Sequence, residues 1–427
     1  MRPSMSTPLA AATLAGLLTL TACGGSGSGG DPDGPVSLRV AVWTANDAHL
    51  ALFDEIADAY IAEHPRVEKI TFDPLPFDGY TTALTTQIAG GNAPDLAWIF
   101  ESSAPDFVSS GALVPLDEVL TETEGYAFDD LLPATTELWS EDGRLFAYPF
   151  STSPFAVFAN LDLLAEAGVP TPAEMRGAGE WTWEEVISAA STVAGETGAS
   201  GMVIRDFDYT GWDYLATLWT GWDARAWDES SVCGFDRPEM VEAMGFLHEA
   251  VFEHGALPGP GTSADFFAGE AAYTVTQISR ASLLEEAGFA WDLLPLPAGP
   301  AGEYAVIGQA GLGVLRVGDH PDIAADFLAH FTAPENSAEL AQYFPPPRAS
   351  QLTAETLASS NPLLTEEQLR ETVVAGTVSG VVKPSHLGQE QIAQTVRAQL
   401  DALWRPDADV PAVLGDVCGA VQPLLDR

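Results

Sequence analysis

Apolar positions change their spacing along the chain, and each change marks an element. "LRVAVW", residues 38–43, alternates and is β-branched, which predicts a first strand. "DAHLALFDEIADAYIAEHP" then repeats apolar residues every three to four positions and stops at Pro65, which predicts a helix. "VEKITFDPLP" reads as a second strand, "GYTTALTTQIAGG" as a helix ended by Gly90 and Gly91, and "APDLAWIF" as a third strand. Strand and helix alternate, as in an open α/β sheet whose ligands gather at the carboxyl ends of strands. Further on, Thr182 with Glu185 three residues later forms a capping-box pattern ahead of an apolar run. Pro238 suits the first turn of another helix. "FFAGEAAYTVTQIS" runs from a turn into a strand, and "FAWDLLPLPAGPAG" is a short strand leading into a Pro/Gly loop. "PDIAADFLAHFTAPENSAELAQYF" is helical with a break at Pro334, and after "PPPRAS" the chain is mostly helical.

The amino terminus departs from this pattern. Arg2 is followed by an apolar stretch from about Leu9 to Ala22, shorter than the ~20 residues of a membrane span and laid out like a signal peptide. Residues 1–22 are therefore expected to be removed. Leu20-Thr21-Ala22-Cys23 resembles the lipobox of bacterial lipoproteins, which implies a lipid on Cys23. Residues 23–37 then form a lipidated, Gly/Ser-rich flexible tether. That arrangement places the protein on the extracellular face of a cell membrane.

Charge narrows the partners. The chain has 61 acidic and 17 basic residues, a net charge of −44, and only two lysines, Lys69 and Lys383. Nucleic acid is excluded as a partner, because its binding needs Lys and Arg on the phosphates. Acids spread along the whole chain read as a solvated surface. After cleavage at Cys23, Cys233 and Cys418 remain, either paired or as two buried thiols. No phosphate loop or Gly-x-Ser-x-Gly elbow is present. His248 and His254 stand six apart, not the four that would share one metal on a helix face. No metal and no cofactor is expected.

Several stretches, in their order and spacing, resemble the sugar-type extracellular solute-binding proteins of bacterial ABC importers. They are "GNAPDLAWIF", "LFAYPFSTSPFAVFANLDLLAEAGVPTP" with "WTWEEV", "FFAGEAAYTV", "LPLPAGPAG" with "GLGV", and "HPDIAADFLAHF". Phe158-Ala159-Asn160 stands where that family usually has Tyr-Asn-Lys. The resemblance implies an α/β, two-lobed, periplasmic-binding-protein-like (type II) fold. Each lobe is an open sheet flanked by helices, with the ligand cleft between lobes. It assigns residues 38–150 plus 308–342 to an N-terminal lobe and 151–307 plus 343–427 to a C-terminal lobe. The chain would cross near Ser151–Phe155, Ile307–Gly311 and Tyr343–Pro347. The implied function is a non-enzymatic, monomeric binding protein that closes on a sugar or oligosaccharide and presents it to ABC permease subunits. The alternatives are the same fold on a polyamine or peptide, or a cell-surface carbohydrate-active enzyme.

A sugar needs aromatic rings on its faces and carboxylates, amides or Arg on its hydroxyls. Trp43 ends the first strand, with Asn46 and Asp47 just beyond, and Glu101 and Ser102 follow the third. Ser151 and Thr152 lie at the first crossing, and Gln309 at the second. Tyr343 and Arg348 flank the third crossing. Trp212 and Trp222 each follow a Gly and precede an Asp, a loop setting that puts a ring beside a carboxylate. Gln277 and Arg280 occupy the stretch where the family often reaches its ligand. These fourteen residues are the expected ligand-binding set.

Overall fold

The protein is described by a computed structural model covering residues 34–360 and 363–427. The expected signal peptide and Cys23 lie outside the described residues. Strands β1 (Val36–Val42), β2 (Val67–Pro74) and β3 (Leu96–Phe100) are parallel neighbours, as their alternation with helices predicts. A short hairpin, β4 (Ser140–Glu141) and β5 (Arg144–Leu145), precedes the long β6 (Ala147–Asn160). Then come β7 (Ser200–Ile204), β8 (Ala271–Gln277), β9 (Trp291–Pro295), β10 (Val306–Val314) and β11 (Val381–Val382).

The main sheet runs β2-β1-β3-β10-β6-β8-β7, with β9 also beside β6 and β11 beside β10. β6 serves both halves of it. Its residues 147–154 pair antiparallel with β10, and residues 155–160 pair antiparallel with β8 and β9. Every residue of β6 and of β10 is buried. A strand buried on both faces shows no alternation, and in the sequence these two central strands are placed only as crossings that the family resemblance implies.

Separate cores lie on the two halves. One packs β1–β3 and β10 against the helices Asp47–Glu63 and Pro321–Phe331, around Phe53, Tyr60 and Trp98. The other packs the second half of β6 and β8 against the helices Trp183–Thr197, Pro238–Phe252, Gln389–Leu400 and Val410–Leu425. A smaller cluster around Phe158, Phe266, Leu293 and Val373 holds the opposite face of that half. The helix starts follow the sequence signals. Thr182 accepts from the Glu185 amide at 3.4 Å, Pro238 opens its helix, and Pro334 begins a new helix after Phe331. Cys233 and Cys418 form a disulfide, their Cα atoms 5.5 Å apart, and so tie the last helix to the loop before Pro238. Among the described residues, no helix is long and apolar enough to cross a membrane.

Candidate ligand-binding cleft

Strand ends from both halves converge on a cavity of about 270 Å³. Trp43 follows β1, and Glu101 opens a one-turn 3-10 segment directly after β3. Ser151 and Ser153 come from β6, Gln277 closes β8, and Gln309 lies within β10. Asp213 and Tyr214 sit in the turn Trp212–Leu215, and Lys383 follows β11.

One wall is aromatic. Trp43 stacks on Phe100 with centroids 4.3 Å apart, and Phe77 and Phe150 pack at their edges. Phe77 keeps 41% of its surface exposed, so the ring group is open on one side. Such a wall offers flat apolar area with little rotamer entropy to lose.

The facing side is polar and closely fitted. Gly311 faces the ring of Trp139, and any Cβ there would overlap the indole. The indole N–H can only donate, and it meets Gln309 Oε1 at 3.2 Å. That leaves the buried Gln309 Nε2 without a protein partner among the described residues, on a residue that lines the cavity. Gly308 likewise has no room for a Cβ because the Gln277 amide lies against it. Ser153 Oγ accepts from the Ser279 amide at 3.1 Å and fixes the turn after β8.

Lys383 provides the charge centre. Its ammonium lies 2.7 Å from Asp213, 3.1 Å from Glu101 and 3.8 Å from the centroid of the Tyr214 ring. Lys383 and Glu101 are both buried. Burial alone would pull the ammonium down, but Asp213 and Glu101 outweigh it and hold its pKa well above the usual lysine value. Burial pushes the Tyr214 hydroxyl up to about 12, against the lowering effect of Lys383.

The cavity brings together Trp43, Glu101, Ser102, Ser151, Gln277 and Gln309 from the expected set. The other expected residues are elsewhere, each for a physical reason. Trp212 is 3% exposed, stacks on Trp219 and donates to the Ala393 carbonyl, so it is core. Trp222 is buried against Phe246. Asn46 caps the helix Asp47–Glu63 by accepting from the Ala48 and His49 amides, and Asp47 is an exposed residue of that first turn. Thr152 is fully buried. Arg280 is held by Asp206 at 2.5 Å. Tyr343 packs on the His49 ring. Arg348 is fully buried, donates to the carbonyls of Tyr126, Ala127 and Thr332, and acts as an internal clamp.

The residues missed from the sequence are Asp213, Tyr214 and Lys383. In Gly211-Trp212-Asp213-Tyr214 the ring turns into the core and the next two residues face the cleft. The sequence signal for Lys383 was its rarity, a lysine in a chain with 61 acids. Among the described residues, no group of three or more His, Cys, Asp or Glu is placed to hold a metal ion.

Residues 55–365 match the family model for bacterial extracellular solute-binding proteins. That stretch is most of the chain, and the protein belongs to this family. An arabinooligosaccharide-binding protein of Halalkalibacterium halodurans is 26% identical over 329 residues, 73% of this chain and 70% of the relative. An sn-glycerol-3-phosphate-binding periplasmic protein of Escherichia coli is 26% identical over 395 residues, 82% of this chain and 84% of the relative. Among solved structures, an ABC substrate-binding protein from Listeria monocytogenes in complex with cycloalternan matches at a TM-score of 0.78 and 21% identity. That match covers 92% of this chain and 99% of the Listeria chain. Maltose-bound MalE3 of T. maritima matches at a TM-score of 0.75 and 19% identity, over 91% of this chain and 99% of its own. These similarities bear out the family and the two-lobed α/β fold. The relatives named are binding proteins.

Proposed function

We propose that this protein is the substrate-binding component of an ABC importer and that its ligand is a saccharide. The carrying observation is the cavity itself: a Trp43–Phe100 wall faces Gln309 Nε2, a buried donor with no partner among the described residues, and the amide of Gln277 lines the same cavity. Rings on one side and fixed hydrogen-bonding groups on the other suit a sugar's apolar face and its hydroxyl belt. The lobes are taken as residues 38–150 with 308–342 and residues 151–307 with 343–427, a division that the two separate main cores support. Closure of the lobes about β6 and β10 traps the ligand and forms the surface that a permease reads. Cys23 carries a lipid and the tether after it keeps the body near the membrane, so replacing Cys23 with Ala should release the protein into the medium.

The test is a thermal-shift screen of the purified protein against pentose and hexose oligomers, polyamines and peptides. A ligand that binds only the folded state raises the melting temperature. A rise with one saccharide series, with the sugar recovered intact, supports the reading. A rise with polyamine alone keeps the fold and replaces the ligand. Recovery of cleaved sugar replaces a carrier with an enzyme.

A further inference from the structure

Lys383 stands at a junction. Besides the aromatic cavity it lines a second space of about 690 Å³, to which residues near both cores contribute. Glu137 comes from the segment just before β4, and Asp223, Glu229 and Glu303 from the other half. Adding Glu101 and Asp213, the two spaces carry six carboxylates. The cations lining them are Lys383, which is shared, and Arg225. Lys383, the one cation lining the inner cavity among the described residues, already has two carboxylates at 2.7 and 3.1 Å and an aromatic ring beneath it.

We infer that the cleft selects its ligand by charge: it admits a saccharide free of phosphate, sulfate and carboxylate groups, tolerates an amine, and rejects a phosphate ester. This rests on the saccharide reading and sharpens it. An anion entering the inner cavity meets an ammonium already engaged by Glu101 and Asp213, and a surplus of negative charge in a partly desolvated space. A neutral sugar carries no net charge for that surplus to repel, and a protonated amine meets an attractive field. The inference separates two equally similar relatives, one named for an arabinooligosaccharide and one for a glycerol phosphate, which overall identity cannot do.

The test compares sn-glycerol 3-phosphate, a neutral maltotriose or arabinotriose, and the trimer of glucosamine on the purified protein at low salt. The wild type should show no melting shift with sn-glycerol 3-phosphate up to millimolar concentration; a shift there overturns the inference. The D213N variant removes the surplus negative charge while Glu101 still holds Lys383 protonated, and should gain affinity for sn-glycerol 3-phosphate by about tenfold. A folded variant with no gain overturns it. Glu137, Glu229 and Glu303 are exposed, so E137Q/E229Q/E303Q keeps the fold out of question. That variant should bind the glucosamine trimer about tenfold more weakly relative to the neutral trimer, with the difference lost at high salt. An unchanged ratio overturns the inference. If no saccharide binds any form, the saccharide reading falls, and the glycerol phosphate arms still decide the charge rule.

Discussion

Two tryptophan groups of similar make-up meet different fates. Trp43 joins Phe77, Phe100 and Phe150 at the ends of β1 and β3, and its ring group stays open to a cavity. Trp212 joins Trp219, Trp227 and Phe235, and is sealed beneath the helix Gln389–Leu400. Aromatic density is the same kind of signal in both. Place in the sheet makes the difference: Trp43 is the residue after a parallel strand, where the backbone leaves the sheet and exposes its end. Trp212 lies in a 3-10 turn and is covered by Trp219, Trp227, Phe235 and the helix Gln389–Leu400, and the same turn hands Asp213 and Tyr214 to the cleft instead.

The sharpest way to break this contrast is Trp212→Ala. It should lower stability by about 3–5 kcal/mol, read as the urea midpoint, and leave affinity of the folded protein within about threefold. Strong loss of binding in a stable Trp212→Ala protein would put that ring back in the site. Replacing Cys233 and Cys418 with Ser should remove about 2–5 kcal/mol, because the bridge closes a loop with a sequence separation of 185 residues. Binding to the cleft should survive wherever that variant is folded. Trp43→Ala should reverse the pattern, weakening saccharide binding by about 10- to 100-fold in calorimetry, with a smaller stability loss than Trp212→Ala.

The smallest effect concerns His49, beside Tyr343 in the first core. Burial holds its ring down at about 4 against an ordinary 6.5. Between those values the unfolded chain binds the proton that the folded chain refuses. Its contribution is complete above pH 6.5 and is lost as pH falls toward 4. Urea midpoints from pH 7 to 4.5 should fall less steeply for His49→Gln than for the wild type.

The parallel part of the sheet was legible because β1, β2 and β3 alternate with helices, and β1 and β2 also interleave polar with apolar residues. β6 and β10 were not, because burial on both faces erases period two and Pro149 and Pro154 interrupt β6. The site was legible where it coincides with strand ends, as at Trp43, Glu101 and Gln277. It failed at Arg348, where a guanidinium that looks exposed by residue type is buried and donates to the carbonyls of Tyr126, Ala127 and Thr332. It failed at Lys383 because no spacing rule links it to Glu101 and Asp213, which lie 282 and 170 positions earlier in the sequence.

The disulfide also sets a schedule. Cys233 must wait for Cys418, which follows it at a sequence separation of 185. A chain crossing a membrane from its amino end presents its first thiol long before the proper mate has emerged. During that interval Cys233 is open to capture by a foreign thiol. The second half of the molecule is thus covalently closed only after the intervening stretch up to Cys418 has followed. A chain cut anywhere ahead of Cys418 would leave Cys233 unmatched.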